Sequence, residues 1–306
     1  MRAGINLLTA AVGVGVVLGL LLTHDGRTWL RHPTLMLGGQ ANASAVAPAP
    51  PAPPIPDPVK SAMTPAAAPA ALTVTPIADR LKAGRLRVGV FGDSMGDGLY
   101  TALYRDLRGA AGVTVTKFSE VSTGLSRYDY VDIQAKTERQ LRENPVDVAV
   151  VLFGTNDAQG ISLDGQVHDF GAPGWKAAYA KRVTDLVTLL RAHDVAVYWV
   201  GLPRMKRASF DEKMTLINGV VEERMRALNV PYLPTVAVTS NSEGDYEAYL
   251  PAGDSDRPTL MRANDGIHMS MAGYLRIAAP VAERLKRDAG VSSGAAATAA
   301  APAPAA

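Results

Sequence analysis

The sequence predicts an α/β protein with one folded domain, in which helices cover both faces of a parallel sheet of about five strands. Two observations support this fold class. Short apolar runs alternate along the chain with longer stretches in which apolar residues recur every three or four positions. Consecutive strands joined by helices form parallel sheets whose two faces the helices cover. The alternation extends over residues 78–289, which is enough chain for one domain with a sizeable core.

The predicted strands are short apolar runs rich in Val and Leu. In chain order they occupy residues 86–91, 113–118, 146–153, 195–201 and a short segment near 230–233. The predicted helices have apolar residues at helical spacing, from Leu99 to Leu107, from Tyr179 to Leu190, from Met214 to Leu228 and from Tyr274 to Leu285. Ser270 is the expected N-cap of the last helix, because its hydroxyl can accept a hydrogen bond from the first turn.

The N-terminal part differs in character from this domain. Residues 5–23 form an uncharged, mostly apolar run that is long enough to span a bilayer. We expect residues 1–24 to be a transmembrane anchor, with a signal peptide cleaved near residue 45 as the alternative. Residues 25–77 are a linker rich in Ala and Pro, and residues 290–306 are a tail of similar composition that we expect to be disordered.

Composition and charge exclude several classes of function. The net charge is only +2 and no basic run is present, so nucleic acid is not an expected partner. The chain has no cysteine, which excludes disulfides, thiolate nucleophiles and zinc–cysteine sites. The spacing of His, Asp and Glu residues does not suit a metal site, so we predict no metal and no cofactor.

Ser94, Asp265 and His268 are the candidate catalytic residues. Ser94 directly follows the first predicted strand, and Asp265 stands three residues before His268 near the end of the domain. A hydroxyl is a weak nucleophile until a base takes its proton, and an imidazole base needs a third group to fix its tautomer. These residues supply a nucleophile, a base and an orienting carboxylate. The pattern therefore predicts acyl transfer through a serine.

An acyl-transfer site also needs donors for the oxyanion of its tetrahedral intermediate. Asn156 lies in the turn after the predicted strand 146–153, and its side-chain amide can donate there. The backbone N–H groups of Ser94 and Gly124 are the other predicted members of this oxyanion hole. We expect Asp93 and Asp157 to brace their loops through hydrogen bonds to the backbone.

These motifs resemble the conserved blocks of the SGNH (GDSL-type) hydrolases. The matching segments, in the order in which that superfamily carries them, are Gly92-Asp93-Ser94, Gly124, Gly154-x-Asn156-Asp157 and Asp265-x-x-His268. The resemblance covers about residues 84–289 and implies a flavodoxin-like three-layer α/β/α fold. Residues 199–204 and 265–269 are further similar to a bacterial, envelope-associated branch of the superfamily.

Two long segments predicted to lack regular structure, 158–175 and 235–264, are expected to set substrate specificity, because long loops in compact domains are usually functional. Their aromatic and acidic side chains suit a sugar. The candidate substrate contacts in them are His168, Trp175 and Tyr246.

The sequence thus predicts a membrane-tethered serine esterase that removes O-acyl groups, with O-acetyl as the leading candidate, from an envelope or secreted glycan. Two alternatives stay open: an acyltransferase that uses the same acyl-serine intermediate, and a catalytically idle glycan-binding or scaffold protein. The expected partners are an acylated glycan or small ester, the membrane through the N-terminal helix, and an envelope complex that modifies glycans. The expected location is the bacterial inner membrane, with the catalytic domain in the periplasm.

Overall fold

The structure is a computed structural model that describes residues 73–252 and 255–291. The predicted anchor over residues 5–23, most of the Ala/Pro linker and the tail beyond residue 291 lie outside the described residues. Within the described part of the chain, none of the helices combines the length and apolar character that a membrane crossing requires.

The described chain alternates strands and helices. The strands are β1 (Leu86–Gly92), β2 (Val113–Lys117), β3 (Val148–Leu152), β4 (Ile161–Leu163), β5 (Gln166–His168), β6 (Ala196–Val200), β7 (Tyr232–Leu233), β8 (Tyr249–Ala252) and β9 (Ser255–Leu260). The helices are α1 (Ile77–Lys82), α2 (Ser94–Leu107), α3 (Ile133–Glu143), α4 (Pro173–Ala192), α5 (Ala208–Ala227), α6 (Val236–Thr239) and α7 (Met271–Asp288).

Five strands form one parallel sheet in the order β2-β1-β3-β6-β7. The three-layer fold and the five-stranded parallel sheet are therefore confirmed. Every residue of β3 is buried, as expected for the central strand of a sheet covered on both faces. Helix α2 packs against α7 in one outer layer, and α4 contacts α3 and α5 in the other.

The strand order determines where a site can form. β1 pairs with β2 on one side and with β3 on the other, so the chain leaves β1 at the point where the direction of winding reverses. Loops beyond the carboxyl ends of two such strands diverge and leave a crevice between them. Ser94 follows β1 and Asn156 follows β3, so both lie at this crevice.

The predicted loops 158–175 and 235–264 contain regular structure, which corrects the expectation that they lack it. β4 pairs with β5 and β8 with β9, each as an antiparallel hairpin. The first hairpin turns at Asp164 and Gly165, which have φ of 52° and 77°. An Asp-Gly pair with positive φ at both positions is typical of a tight hairpin turn, so this dipeptide was the available sequence signal.

Helix α3 was also missed by the sequence analysis. Only Ile133, Thr137 and Leu141 are buried in it, so its apolar pattern is weak. Its start is set by Asp132, whose carboxylate accepts a hydrogen bond from Ala135 N at 3.0 Å. The predicted N-cap of α7 is confirmed, because Ser270 Oγ accepts a hydrogen bond from Gly273 N at 3.2 Å.

Candidate active site

Ser94 lies on the sharp turn between β1 and α2. Asp93 is the N-cap of α2 and Ser94 is its first residue, so the hydroxyl lies just beyond the end of the sheet. The turn is tight because Gly92 packs against β3: a Cβ atom at Gly92 would lie 2.2 Å from Leu152 O. Ser94 Oγ is 2.7 Å from His268 Nε2, within hydrogen-bond distance.

Asp265 and His268 share one short loop before α7. Asp265 Oδ1 accepts hydrogen bonds from Ile267 N at 2.8 Å and His268 N at 3.0 Å, and Oδ2 lies 2.6 Å from His268 Nδ1. The loop needs a glycine at Gly266, where φ is +70° and a Cβ atom would lie 2.3 Å from Lys206 Cβ. One carboxylate therefore shapes the loop and orients the imidazole.

The surroundings of Asp265 keep it ionised. Partial burial opposes ionisation, but the hydrogen bonds from the His268 ring and from the Ile267 and His268 N–H groups outweigh it and lower the pKa of Asp265 to about 2. An ionised carboxylate at Nδ1 holds that nitrogen as the donor, which leaves Nε2 to accept the proton of Ser94 Oγ. The structure thus brings together all three predicted catalytic residues in the order that the chemistry requires.

The two predicted oxyanion donors on other loops are neighbours. A Cβ atom at Gly124 would lie 3.5 Å from Asn156 Cβ, and Asn156 Nδ2 donates to Thr123 O at 2.9 Å. A side-chain amide carries two N–H groups, so one can hold the Gly124 loop while the other is available to an oxyanion. Asn156 and Gly124 are therefore neighbours, and Ser94 follows the adjacent strand β1, so the three predicted oxyanion-hole residues lie at the same edge of the sheet.

We expect Asn156→Ala to lower kcat by roughly 10²–10³ with little change in KM, because an oxyanion donor acts mainly in the transition state. Initial rates on a soluble ester over a range of concentrations check this. A rise in KM of the same size at unchanged kcat would instead show that Asn156 binds the ground state of the substrate.

The buried carboxylate of Asp93 connects the serine turn to the asparagine turn. It accepts hydrogen bonds from Met95 N at 2.9 Å, Gly154 N at 3.2 Å, Thr155 N at 3.1 Å and Thr155 Oγ1 at 2.8 Å. Burial outweighs these bonds and raises the pKa of Asp93 to about 6. The predicted bracing role of Asp93 is confirmed.

Asp157 fixes the Gly124 loop in a similar way. Its Oδ1 accepts hydrogen bonds from Ser126 N at 2.8 Å and Ser126 Oγ at 2.9 Å, and its Oδ2 from the Tyr179 hydroxyl at 2.8 Å. A Cβ atom at Gly124 would lie 2.3 Å from Asp157 Oδ1, so only glycine fits there. Burial raises the pKa of the Asp157 carboxyl.

The three predicted substrate contacts differ in their burial. Trp175 is fully buried, stacks on Tyr179 with ring centroids 4.7 Å apart and donates its Nε1–H to Gln159 O at 2.7 Å. Its prediction as a substrate contact is therefore wrong: the side chain belongs to the core. The half-buried His168 ends β5, with its ring against Gly174 at the start of α4.

Tyr246, the third predicted contact, is half-buried beside the Asp265–His268 loop. Its ring centroid lies 5.0 Å from Arg262 Cζ. Arg262 lies in the segment 235–264, which was expected to set substrate specificity, yet its side chain is only 1% exposed. The burial of Arg262 could not be predicted, because a single arginine between apolar neighbours carries no signal of burial.

Within the described residues, no group of three His, Asp or Glu side chains could hold a metal ion.

Fold and site together define a class of protein. A parallel sheet in the order β2-β1-β3-β6-β7 carries a serine after β1, an asparagine turn after β3, and an aspartate and a histidine on one loop. This arrangement is similar to that of the SGNH (GDSL-type) hydrolases. The chain belongs to the family described as "Protein of unknown function (DUF459)", whose model matches residues 87–284.

The chain is also similar to solved structures. A carbohydrate acetylesterase family member from Sinorhizobium meliloti is 14% identical, with a TM-score of 0.46 over 67% of this chain and 99% of that one. The aryl esterase of M. smegmatis is 16% identical, with a TM-score of 0.45 over 66% and 99%. A GDSL-like lipase from Bacteroides thetaiotaomicron is 14% identical, with a TM-score of 0.43 over 66% and 88%. No curated protein matches the sequence.

Proposed function

We propose that this protein is a serine esterase that works through an acyl-Ser94 intermediate. The observation that carries the proposal is the continuous line of hydrogen-bond distances from Ser94 Oγ to His268 Nε2 (2.7 Å) and from His268 Nδ1 to Asp265 Oδ2 (2.6 Å). In this arrangement the imidazole can remove the hydroxyl proton while the carboxylate stabilises the imidazolium that forms.

The reaction then has two halves. Ser94 Oγ attacks the acyl carbon as its proton passes to His268 Nε2, and the oxyanion accepts hydrogen bonds from Asn156 and from the Ser94 and Gly124 N–H groups. The C–O bond to the alcohol breaks, and His268 returns the proton to the departing oxygen. In the second half His268 takes a proton from water as the water oxygen attacks the acyl carbon. The bond from that carbon to Ser94 Oγ then breaks, His268 returns the proton to Oγ, and the carboxylic acid leaves.

The exposure of the site favours hydrolysis of a large substrate. The His268 and Asp265 side chains are 36% and 46% exposed, so water and a polymer chain can both reach the serine. We infer that the substrate is an O-acylated, most simply O-acetylated, glycan. A cavity of about 450 Å³ beside the Gly124 loop supports this, because it is lined by apolar and polar side chains, among them Val167, Ser126 and Gln159, and a sugar presents both apolar faces and hydroxyls.

The test uses the purified full-length protein in detergent. We expect it to release p-nitrophenol from p-nitrophenyl acetate and acetate from an O-acetylated polysaccharide, with Ser94→Ala as the matched inactive control. Appearance of the acetyl group on an added oligosaccharide, in place of free acetate, would identify an acyltransferase. Binding of the polysaccharide with no turnover of either ester would identify an idle glycan-binding protein and overturn the proposal.

We further propose that the enzyme is tethered to the bacterial inner membrane, with its domain in the periplasm and close to other enzymes that modify envelope glycans. The apolar run 5–23 followed by the Ala/Pro linker supports this location. Alkaline phosphatase fused after residue 75 should be active, and the full chain should remain in the membrane fraction with its N-terminus intact. A soluble form that begins near residue 46 would show that the segment is a cleaved signal peptide.

A further inference from the structure

Arg262 is a buried cation directly behind the loop that carries Asp265 and His268. Its side chain is 1% exposed, and its Nε and Nη1 atoms are buried without a hydrogen-bond partner. Among the ion pairs of the described residues, none includes Arg262. A buried guanidinium without a carboxylate partner costs stability, which suggests that its position serves another purpose.

The hydrogen bonds of Arg262 show what it acts on. Its Nη2 donates to Ile267 O at 3.0 Å, to Gly266 O at 3.2 Å and weakly to Met205 Sδ at 3.5 Å. Gly266 O also accepts a hydrogen bond from Lys206 N at 3.1 Å, whereas Arg262 is the donor recorded for Ile267 O. The N–H groups of the same two peptide units are those of Ile267 and His268, and both donate to Asp265 Oδ1, at 2.8 and 3.0 Å. The C=O and N–H of a trans peptide point in opposite directions, so the guanidinium and the carboxylate lie on opposite sides of these two peptide groups.

We propose that Arg262 is a positioning residue, which orders and polarises the two peptide groups that hold Asp265 and thereby controls the Asp265–His268 pair. A cation on each C=O draws electron density from the peptide and makes its N–H a stronger donor to Asp265, since hydrogen bonds in a chain polarise one another. The positive charge also disfavours the imidazolium form of His268. Loss of Arg262 should therefore favour proton uptake by the His268 ring and make the base available only at higher pH. The inference rests on the proposed function of these residues.

Other charged and titratable groups surround the pair and remain in place when Arg262 changes. They are Asp93 and Tyr274, which lie on the Ser94 side, Lys206 and Arg207, which contact the loop or line the cavity beside it, and Tyr246, which faces Arg262. A shift caused by substitution of Arg262 alone can therefore be assigned to the loss of its charge and its bonds.

The test compares the full-length wild type with Arg262→Met, Arg262→Lys and a control, Arg276→Met. Arg276 also donates to a backbone carbonyl, Pro251 O at 2.6 Å, but not to one of the loop. In Arg262→Met we expect the acid limb of the kcat/KM profile to move up by roughly 0.5–1 pH unit, the size expected from loss of one nearby charge at a high effective dielectric. The kcat of Arg262→Met at the high-pH plateau should fall while KM stays unchanged. Arg262→Lys should have an acid limb close to that of the wild type, and Arg276→Met should match the wild type in both respects.

Titration of the His268 ring by NMR, with selectively labelled histidine assigned through His268→Ala, gives the same comparison without enzyme activity. It separates this inference from the proposed function, because an inactive wild type would overturn the function while the titration still reports on Arg262. Should Arg262→Met not fold, Arg262→Gln replaces it, since its amide can still donate to one carbonyl. A folded neutral variant whose His268 titrates at the wild-type pH would overturn the inference.

Discussion

Ser94→Ala and His268→Ala should each lower kcat for ester hydrolysis by about 10⁴ or more and leave the domain folded, because the nucleophile and its base act as one unit. Both side chains are partly exposed at the crevice, so their truncation leaves the buried core unchanged. The double variant should be little worse than either single one, since removal of one partner already disables the other.

Rates on p-nitrophenyl acetate, with far-UV circular dichroism to verify folding, check this result. Thr101→Ala is a suitable control, because this residue of α2 is exposed and its hydroxyl donates to Asp97 O, at 3.1 Å, within the same helix. Most of the wild-type activity in a folded Ser94→Ala protein would contradict the acyl-serine mechanism.

Asp265→Asn should lower kcat by about 10⁴ with little change in KM, because an amide of the same shape lets the imidazole adopt the wrong tautomer. The carboxylate is ionised in the wild type above about pH 2. Only the neutral form of His268 can take the proton of Ser94, so wild-type kcat/KM should rise with pH along one titration.

The pH profile of the residual activity of Asp265→Asn should also shift in a defined direction. Removal of a negative charge beside the ring makes the imidazolium less stable, so the acid limb of Asp265→Asn should lie at lower pH than that of the wild type. Arg262→Met should move the acid limb in the opposite direction, to higher pH. A flat wild-type profile from pH 5 to 9, or wild-type activity in Asp265→Asn, would show that this pair is not the acid–base unit.

The fold was predictable where apolar pattern and burial coincide. Strand β3 is fully buried and was identified within two residues at its start, because a central strand must be apolar on both faces. Helix α3 and the two hairpins were missed, since few of their side chains face the core and their ends depend on local turns.

The residues of the candidate site also divide into those that the sequence could identify and those that it could not. Ser94, Asp265, His268 and Asn156 could be found because their chemistry needs particular residue types at particular places in the chain. Trp175 was misassigned, because an aromatic residue next to a loop has the same sequence signature whether it stacks on Tyr179 or on a sugar. Arg262 was missed as a positioning residue because its main hydrogen-bond partners are backbone carbonyls, which no side-chain pattern reveals.

Ser94 and His268 are 174 residues apart in the chain, at opposite ends of the domain, and meet through the packing of α2 against α7. A Cβ atom at Gly98 in α2 would lie 2.0 Å from the Tyr274 ring in α7, so these helices must dock closely. During synthesis the nucleophile emerges long before its base, and it stays inert until the last helix is made and docked. Esterase activity would therefore report that the whole domain has folded. A chain truncated before α7 should be inactive even if its sheet forms.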